Sequence, residues 1–307
     1  MARLLLSLAA FLVTAELSSA ASFWDNLKLD CGVSVWSDWG PSVDGYRTRT
    51  RQIYRQPQNG GALCPNISET DKDPWIKQTT TEKAATIETN FLLGSGGSSS
   101  GRKRRETTVR DRDILFIVDS SGSIDTHEYN TAKTGLANLI GKICGKIGLG
   151  PQSNRAALII FSNKPQEIFD FDDHDNLADV QAAIRNIPHI SSSTCTGDAL
   201  EYAKTMFTLS KGVRRDRDSV KEVVVLTDGG SNCGADAVTK AAELQESKRV
   251  FVFAIGDFSP AGRIEMEAMA SHPPSKHLFH VGSFLQFQNI VVTVLRYPNN
   301  CAPIVIN

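Results

Sequence analysis

Residues 113–124 read DILFIVDSSGSI. The apolar run 114–118 has the makings of a strand buried on both faces, yet it stops abruptly on an acid, three serines and a glycine. A turn can use any one of these residues. An acid at Asp119 with hydroxyls at Ser121 and Ser123 looks instead like a cluster of oxygen ligands at a strand end.

Three further runs share the near-continuous apolar character: AALIIF (156–161), EVVVLT (222–227) and VFVFAIG (250–256). Helical patterns lie between them, at 128–143, 176–187, 198–207 and 235–247. Strand alternating with helix predicts an α/β fold, a doubly wound, mostly parallel sheet flanked by helices. Ligands of such sheets sit beyond the carboxyl ends of the strands. Asp119, Ser121 and Ser123 fall on that edge. Asp228, directly after EVVVLT, joins them, and the loop SSSTCTGDAL (191–200) adds Thr194 and Thr196. A set made only of oxygens suits a hard cation, Mg2+ or Mn2+, rather than zinc.

These residues carry a resemblance. DSSGS (119–123), TCTGDAL (194–200) and LTDG (226–229) resemble, in order, the three metal loops of von Willebrand factor type A domains. The resemblance covers about 113–297. It implies a metal-ion-dependent adhesion site coordinated by Asp119, Ser121, Ser123, Thr194 and Asp228, with hydroxyls binding directly and one or both acids acting through water. Thr196 is the competing threonine. Held mostly by neutral donors, the cation keeps residual charge and an open position that an Asp or Glu of a protein ligand can fill. The alternative is a set of turns and helix N-caps without a metal.

Catalytic readings fit less well. A haloacid-dehalogenase-like phosphatase needs a second acid where Ser121 stands. DSSGS is no Gly-x-Ser-x-Gly elbow, and around Gly141 and Gly145 the phosphate-loop spacing fails. The protein is expected not to be an enzyme.

The remaining chain sets the context. It has 307 residues, 33 Lys plus Arg against 34 Asp plus Glu, and 41% hydrophobic content. That balance gives no electrostatic case for nucleic acid. Residues 1–20 read as a signal peptide, with basic Arg3, an apolar core and small residues before the cleavage position. No later run approaches the roughly 20 apolar residues of a membrane span. Secretion is therefore expected, and six cysteines agree with an oxidising compartment. Asn66, in Asn66-Ile67-Ser68, is then a glycosylation candidate.

Residues 84–112 read as a Gly/Ser and basic linker, and 298–307 as a tail. The block 102–105 resembles a secretory convertase site cleaved after Arg105. As a solvated basic run it is also a candidate patch for a polyanion such as a glycosaminoglycan.

Before the linker, at 31–83, VWSDWG, YRTRTRQ and NGGALCP resemble a thrombospondin type 1 repeat. The resemblance implies a small irregular β module held by a ladder of Trp36 and Trp39 with Arg47, Arg49 and Arg51. It also implies C-mannosylation at Trp36 and a bridge between Cys31 and Cys64, although the family usually has six cysteines and this module could be only a spacer. Of the four remaining cysteines, which allow three pairings, Cys195 and Cys233 lie in metal loops that meet at one edge. Cys144 and Cys301 are left at the opposite end, where a bridge would restrain the last helix.

The expected function is adhesion: a secreted matrix protein binding, through its cation, an acidic residue of an extracellular protein ligand. The alternative is a structural component assembling a fibrillar or mineralised matrix without metal-switched binding.

Overall fold

The computed structural model describes residues 27–94, 111–215 and 219–297. The signal-peptide positions, the basic block with Arg105, and the tail with Cys301 lie outside the described residues. The chain forms two compact units that divide after Asp73.

In the first unit, β1 (Gly32–Val33) pairs antiparallel with β3 (Ile53–Arg55), and β2 (Tyr46–Thr50) with β4 (Ser68–Lys72). The period-two alternation of a strand puts Arg47, Arg49 and Arg51 on one face. Their guanidinium groups interleave with two indoles. Arg47 lies 5.5 Å and Arg49 4.7 Å from the ring centre of Trp39, while Arg49 and Arg51 lie 5.0 and 4.3 Å from that of Trp36. Arg49 also contacts Glu69, directly opposite in register, at 2.8 Å, and Arg47 contacts Asp73 at 3.5 Å. The Cys31–Cys64 disulfide closes the unit. Stacking of this kind substitutes for a hydrophobic core that so few residues cannot build.

Arg49 serves two indoles and one carboxylate. At about 0.5–1 kcal/mol per stacked cation and less for a half-exposed ion pair, Arg49→Ala is expected to cost the unit about 2 kcal/mol. Urea unfolding followed by tryptophan fluorescence reads this directly. A midpoint unchanged from wild type would show that the stacking contributes nothing to stability.

The second unit is built on a parallel sheet. Its strands are β5 (Arg112–Asp119), β6 (Lys146–Ile147), β7 (Ser153–Phe161), β8 (Pro165–Phe169), β9 (Val220–Thr227), β10 (Arg249–Ile255) and β11 (Leu278–Val281). They run in the order β11–β10–β9–β5–β7–β6, with β8 antiparallel to β7. β5 lies centrally, with Asp119 in register with Phe161 of β7 and Val118 with Leu226 of β9. Alternate residues of each strand feed two separate cores. Phe116, Val118, Leu158, Val224 and Phe253 face one side, and Leu115, Ile117, Ile159, Val225 and Val252 the other. This double burial is why the strands read as continuous apolar runs.

Among the described residues this unit has eight α-helices. α1 (Thr80–Ile87) precedes the sheet; α2 (Thr126–Ile140), α3 (Leu177–Arg185), α4 (Thr196–Met206), α5 (Ala237–Gln245), α6 (Pro260–Met269), the short α7 (Pro274–His277) and α8 (Phe284–Arg296) follow in turn. The edge strands β8 and β11 and helix α6 have no counterpart in the sequence reading, while α8 is the last helix expected ahead of Cys301. Arg214 contacts the fully buried Asp113 and, at 2.8 Å, Asp111, while Lys221 sits 3.1 Å from Asp113.

The largest departure concerns residues 84–112. The sequence reading ends the N-terminal module at 83 and starts a flexible linker at 84, but the second unit begins at Pro74, and α1 continues as a π-helical turn, Glu88–Leu92. A capping box fixes the start of α1: the Thr79 hydroxyl accepts from the Glu82 amide at 3.2 Å, and the Glu82 carboxylate accepts from the Thr79 amide at 2.8 Å. Ala84, Ile87, Phe91 and Leu92 are all at most 1% exposed and belong to the core of this unit. Their spacing places them on one helical face. Burial of Ile87, Phe91 and Leu92 at about 1.5–3 kcal/mol each outweighs whatever flexibility the glycines and serines after residue 94 would confer.

Candidate metal centre

Four of the five candidate ligands sit where a strand hands over to a loop, and the fifth, Thr194, lies in the loop that leads into α4. β5 ends on Asp119, which is 1% exposed. Its Oδ1 accepts from the Ser121 amide at 2.8 Å and its Oδ2 from the Thr227 hydroxyl, at the end of β9, at 2.7 Å. From there the contacts run outward. The Ser121 and Ser123 hydroxyls are 3.0 Å apart, and Ser123 donates to Asp228 Oδ1 at 2.9 Å. Asp119 and Ser121 are buried while Ser123 is exposed, so the cluster rises from the sheet to solvent. Behind it, Asp125 caps α2, its carboxylate accepting from the Glu128 amide at 2.8 Å.

Thr194 reaches the same edge through its backbone. Its amide donates to Asn232 Oδ1 at 2.9 Å and its carbonyl accepts from the Asn232 amide at 3.0 Å. The next residue, Cys195, is disulfide-bonded to Cys233, with Cα atoms 4.7 Å apart. The second and third loops are thus joined three times within two residues. Gly197, one step further, must be glycine: a Cβ there would lie 1.8 Å from the Ala235 carbonyl oxygen. The other threonine behaves differently. Thr196 starts α4, is fully buried, and its hydroxyl has no hydrogen-bond partner.

Several residues that build the site carry no motif. Ser162, after β7, donates to the Ser193 carbonyl at 2.8 Å and accepts from the Ser192 amide at 2.9 Å. Gly122 donates to the Ser192 carbonyl at 2.7 Å, tying the first loop to the second. Glu265 of α6 accepts from the Ser231 amide at 2.8 Å. The His189 ring stacks on Tyr129 at 4.5 Å and its Nε2 lies 3.3 Å from the Ser121 carbonyl. Apart from Gly122, which lies within DSSGS, none of these has a local signal in the sequence, because each acts across more than 20 residues of chain.

The electrostatics of the edge favour a cation. Burial pushes Asp119 up to about 6, partly opposed by its hydrogen bonds and reinforced by the charge of Asp228. Asp228 is raised as well, by burial first, with Glu128 adding to it. Two carboxylates held close, both short of solvent, are a place where positive charge is missing. Among the described residues no three His, Cys, Asp or Glu side chains form a metal cluster. A metal here would have to rely on hydroxyls as well as acids, and the contacts bring oxygens of Asp119, Ser121, Ser123 and Asp228 together.

A model of the von Willebrand factor type A domain matches residues 113–293. The chain belongs to this family. The chain is 31% identical over 198 residues to the human collagen alpha-6(VI) chain, covering 64% of this chain and 8% of that one. It is 30% identical over 186 residues to human matrilin-4, covering 58% and 29%, and 30% identical over 192 residues to mouse vitrin, covering 62% and 28%. The chain therefore spans under a third of the length of each of these relatives. Among solved structures, proximal thread matrix protein 1 of the mussel byssus superposes with a TM-score of 0.53 at 21% identity, over 61% of this chain and 47% of that one. A second structure of that protein, with a TM-score of 0.54, has a zinc-occupied MIDAS motif. At this identity the likeness shows the fold alone. The A-domain match starts at Asp113, so α1 and the π-helical turn, which pack into its core, lie N-terminal to it.

Proposed function

We propose that this is a secreted, non-catalytic matrix or adhesion protein whose A domain binds a divalent cation and, through it, an acidic residue of an extracellular protein. The observation that carries the reading is the contact chain from buried Asp119 through Ser121 and Ser123 to Asp228, beside a loop bearing Thr194. Asp119, Ser121, Ser123, Thr194 and Asp228 would hold the ion. Its chemistry would be that of a Lewis acid with one exchangeable position. The protein's part is to supply few charges, hold the hydroxyls in place and keep the rim open. Oxygen donors favour Mg2+ or Mn2+, but the zinc in the mussel protein's site means that zinc belongs in the test. Kinship with collagen VI, matrilins and vitrin supports an extracellular setting.

Titration calorimetry of the purified protein with Mg2+, Mn2+ and Zn2+ tests the metal. Capture of matrix proteins with and without EDTA tests the ligand. EDTA-insensitive capture would favour the structural-assembly reading.

The two threonines provide a sharper check. Thr194→Ala is expected to weaken cation binding by at least about tenfold, roughly the loss of one direct ligand. Thr196→Ala removes a buried hydroxyl that has no partner, so stability should hold or rise by up to about 1 kcal/mol, with affinity unchanged. The opposite ranking in calorimetry would transfer the ligand role to Thr196.

The N-terminal unit is proposed to be a thrombospondin type 1-like module on the strength of its Trp–Arg stacking, with C-mannosylation at Trp36. The exposed Asn66 is proposed as a glycosylation site. Processing after Arg105 and glycosaminoglycan binding by the basic block remain proposals on residues outside the described ones. Cys144 is disulfide-bonded, and its proposed partner is Cys301.

A further inference from the structure

Residues 74–93 precede the A-domain match in sequence, but they are anchored as part of that domain. Trp75 Nε1 donates to Glu267 Oε1 at 2.5 Å, and the indole packs against His280 (4.8 Å) and Phe258 (5.7 Å), with Arg263 5.1 Å from its ring. The Lys83 ammonium donates to the His280 carbonyl at 2.5 Å, and Tyr297 Oη to the Thr81 carbonyl at 3.4 Å. The Phe91 ring meets Phe251 and Phe253 edge-on, at 5.1 and 6.0 Å, under the Arg112 guanidinium at 5.1 Å. The carbonyl of Leu92 accepts from the Cys144 amide at 2.9 Å. These contacts reach β5, β10, β11, α6, the residue that follows α8 and the turn between α2 and β6. All of them lie on the C-terminal side of residue 111.

The cysteines add a constraint. Cys31 pairs with Cys64, so both cysteines that precede residue 111 are used within the first unit. No disulfide can therefore join the stretches of chain before and after residues 95–110.

We infer that residues 74–93 are a non-covalent anchor, so that a chain cut anywhere between Gly94 and Asp111 stays a two-fragment complex in which the A domain holds its own N-terminal fragment. The partner fitted to the surface formed by Phe251, Phe253, Glu267, His280 and Tyr297 is then the amphipathic segment of the same chain, reading PWIKQTTTEKAATIETNFLL from Pro74 to Leu93. The mechanism is ordinary. An apolar helical face seated in a groove with hydrogen bonds at both ends does not depend on the covalent link beyond it. Without the link the complex loses only the effective concentration that the link supplied.

The test uses the full chain with a site-specific protease sequence in place of residues 97–105, which keeps it independent of whether Arg105 is a natural cleavage site. After complete cleavage the two fragments should co-elute on a sizing column in native buffer, at the position of the uncut chain. They should separate in denaturant without reductant. A synthetic peptide of residues 74–94, in large excess, should displace the N-terminal fragment. Phe91→Asp in the same chain should release that fragment on cleavage. Should that variant fail to fold, the peptide displacement on the wild-type background decides. Fragments that separate in native buffer as soon as the chain is cut, or co-elution that excess peptide leaves unchanged, would overturn the inference.

Discussion

Asp119→Asn is expected to reduce divalent-cation affinity by at least about 100-fold while leaving the A domain folded. The asparagine Oδ1 can still accept the Ser121 amide, which now sits 2.8 Å from the carboxylate, and the Thr227 hydroxyl, at 2.7 Å, can turn to accept from the new amide. The hydrogen-bond frame at the end of β5 is therefore preserved. The negative charge is not, and with it goes the residue nearest the bottom of the site. Loss of a group that merely orients a ligand costs about 10–100-fold in metal affinity; loss of a charged member of the site should cost more. Removing a desolvated charge also relieves the folded state, because burial already disfavours the ionised form of this carboxyl. The metal-free variant should thus melt at or slightly above the temperature of metal-free wild type. Calorimetry and thermal denaturation in EDTA test both statements together. Near-wild-type cation binding by Asp119→Asn would remove the site from the mechanism. A large drop in melting temperature would mean that the substitution had damaged the fold instead.

The second large effect lies at Phe91, which precedes the A-domain match by 22 positions. Phe91→Ala empties a fully buried aromatic site packed against Phe251 and Phe253, so it should cost about 3–5 kcal/mol. For a unit of this size that is a fall of roughly 10 °C in melting temperature. The transition affected should be that of the A domain, not that of the N-terminal unit, whose tryptophans Trp36 and Trp39 report on it separately. A loss below about 1 kcal/mol would show that the segment before the sheet lies on the domain without supporting it. The same reasoning predicts that a shortened protein starting at residue 111 is markedly less stable than one starting at 74.

The sequence by itself determined the sheet. Runs such as ILFIV and EVVVLT declare strands buried on both sides, and in a parallel sheet the carboxyl ends of such strands share one edge. Asp119 and Asp228 could therefore be assigned to the same place although more than 100 residues separate them. The alternation of Arg47, Arg49 and Arg51 was equally local, since a strand's period of two places them on one face.

Only the tertiary structure decided what those elements are held by. Asn232, Ser162, Glu265 and His189 fix these loops through contacts between distant segments, and one polar residue in a loop carries no sign of its partner. The helix at residues 80–92 shows the same limit in a different form. Thr79 and Glu82 mark its start, and Ala84, Ile87 and Phe91 mark its apolar face, so the helix itself was readable. Which body that face packs against was not, because amphipathicity states that a face will be buried but never in whose core. The glycine- and serine-rich stretch that follows drew the boundary too late, at 83, and the packing of this segment against Phe251 and Phe253 places it before residue 74.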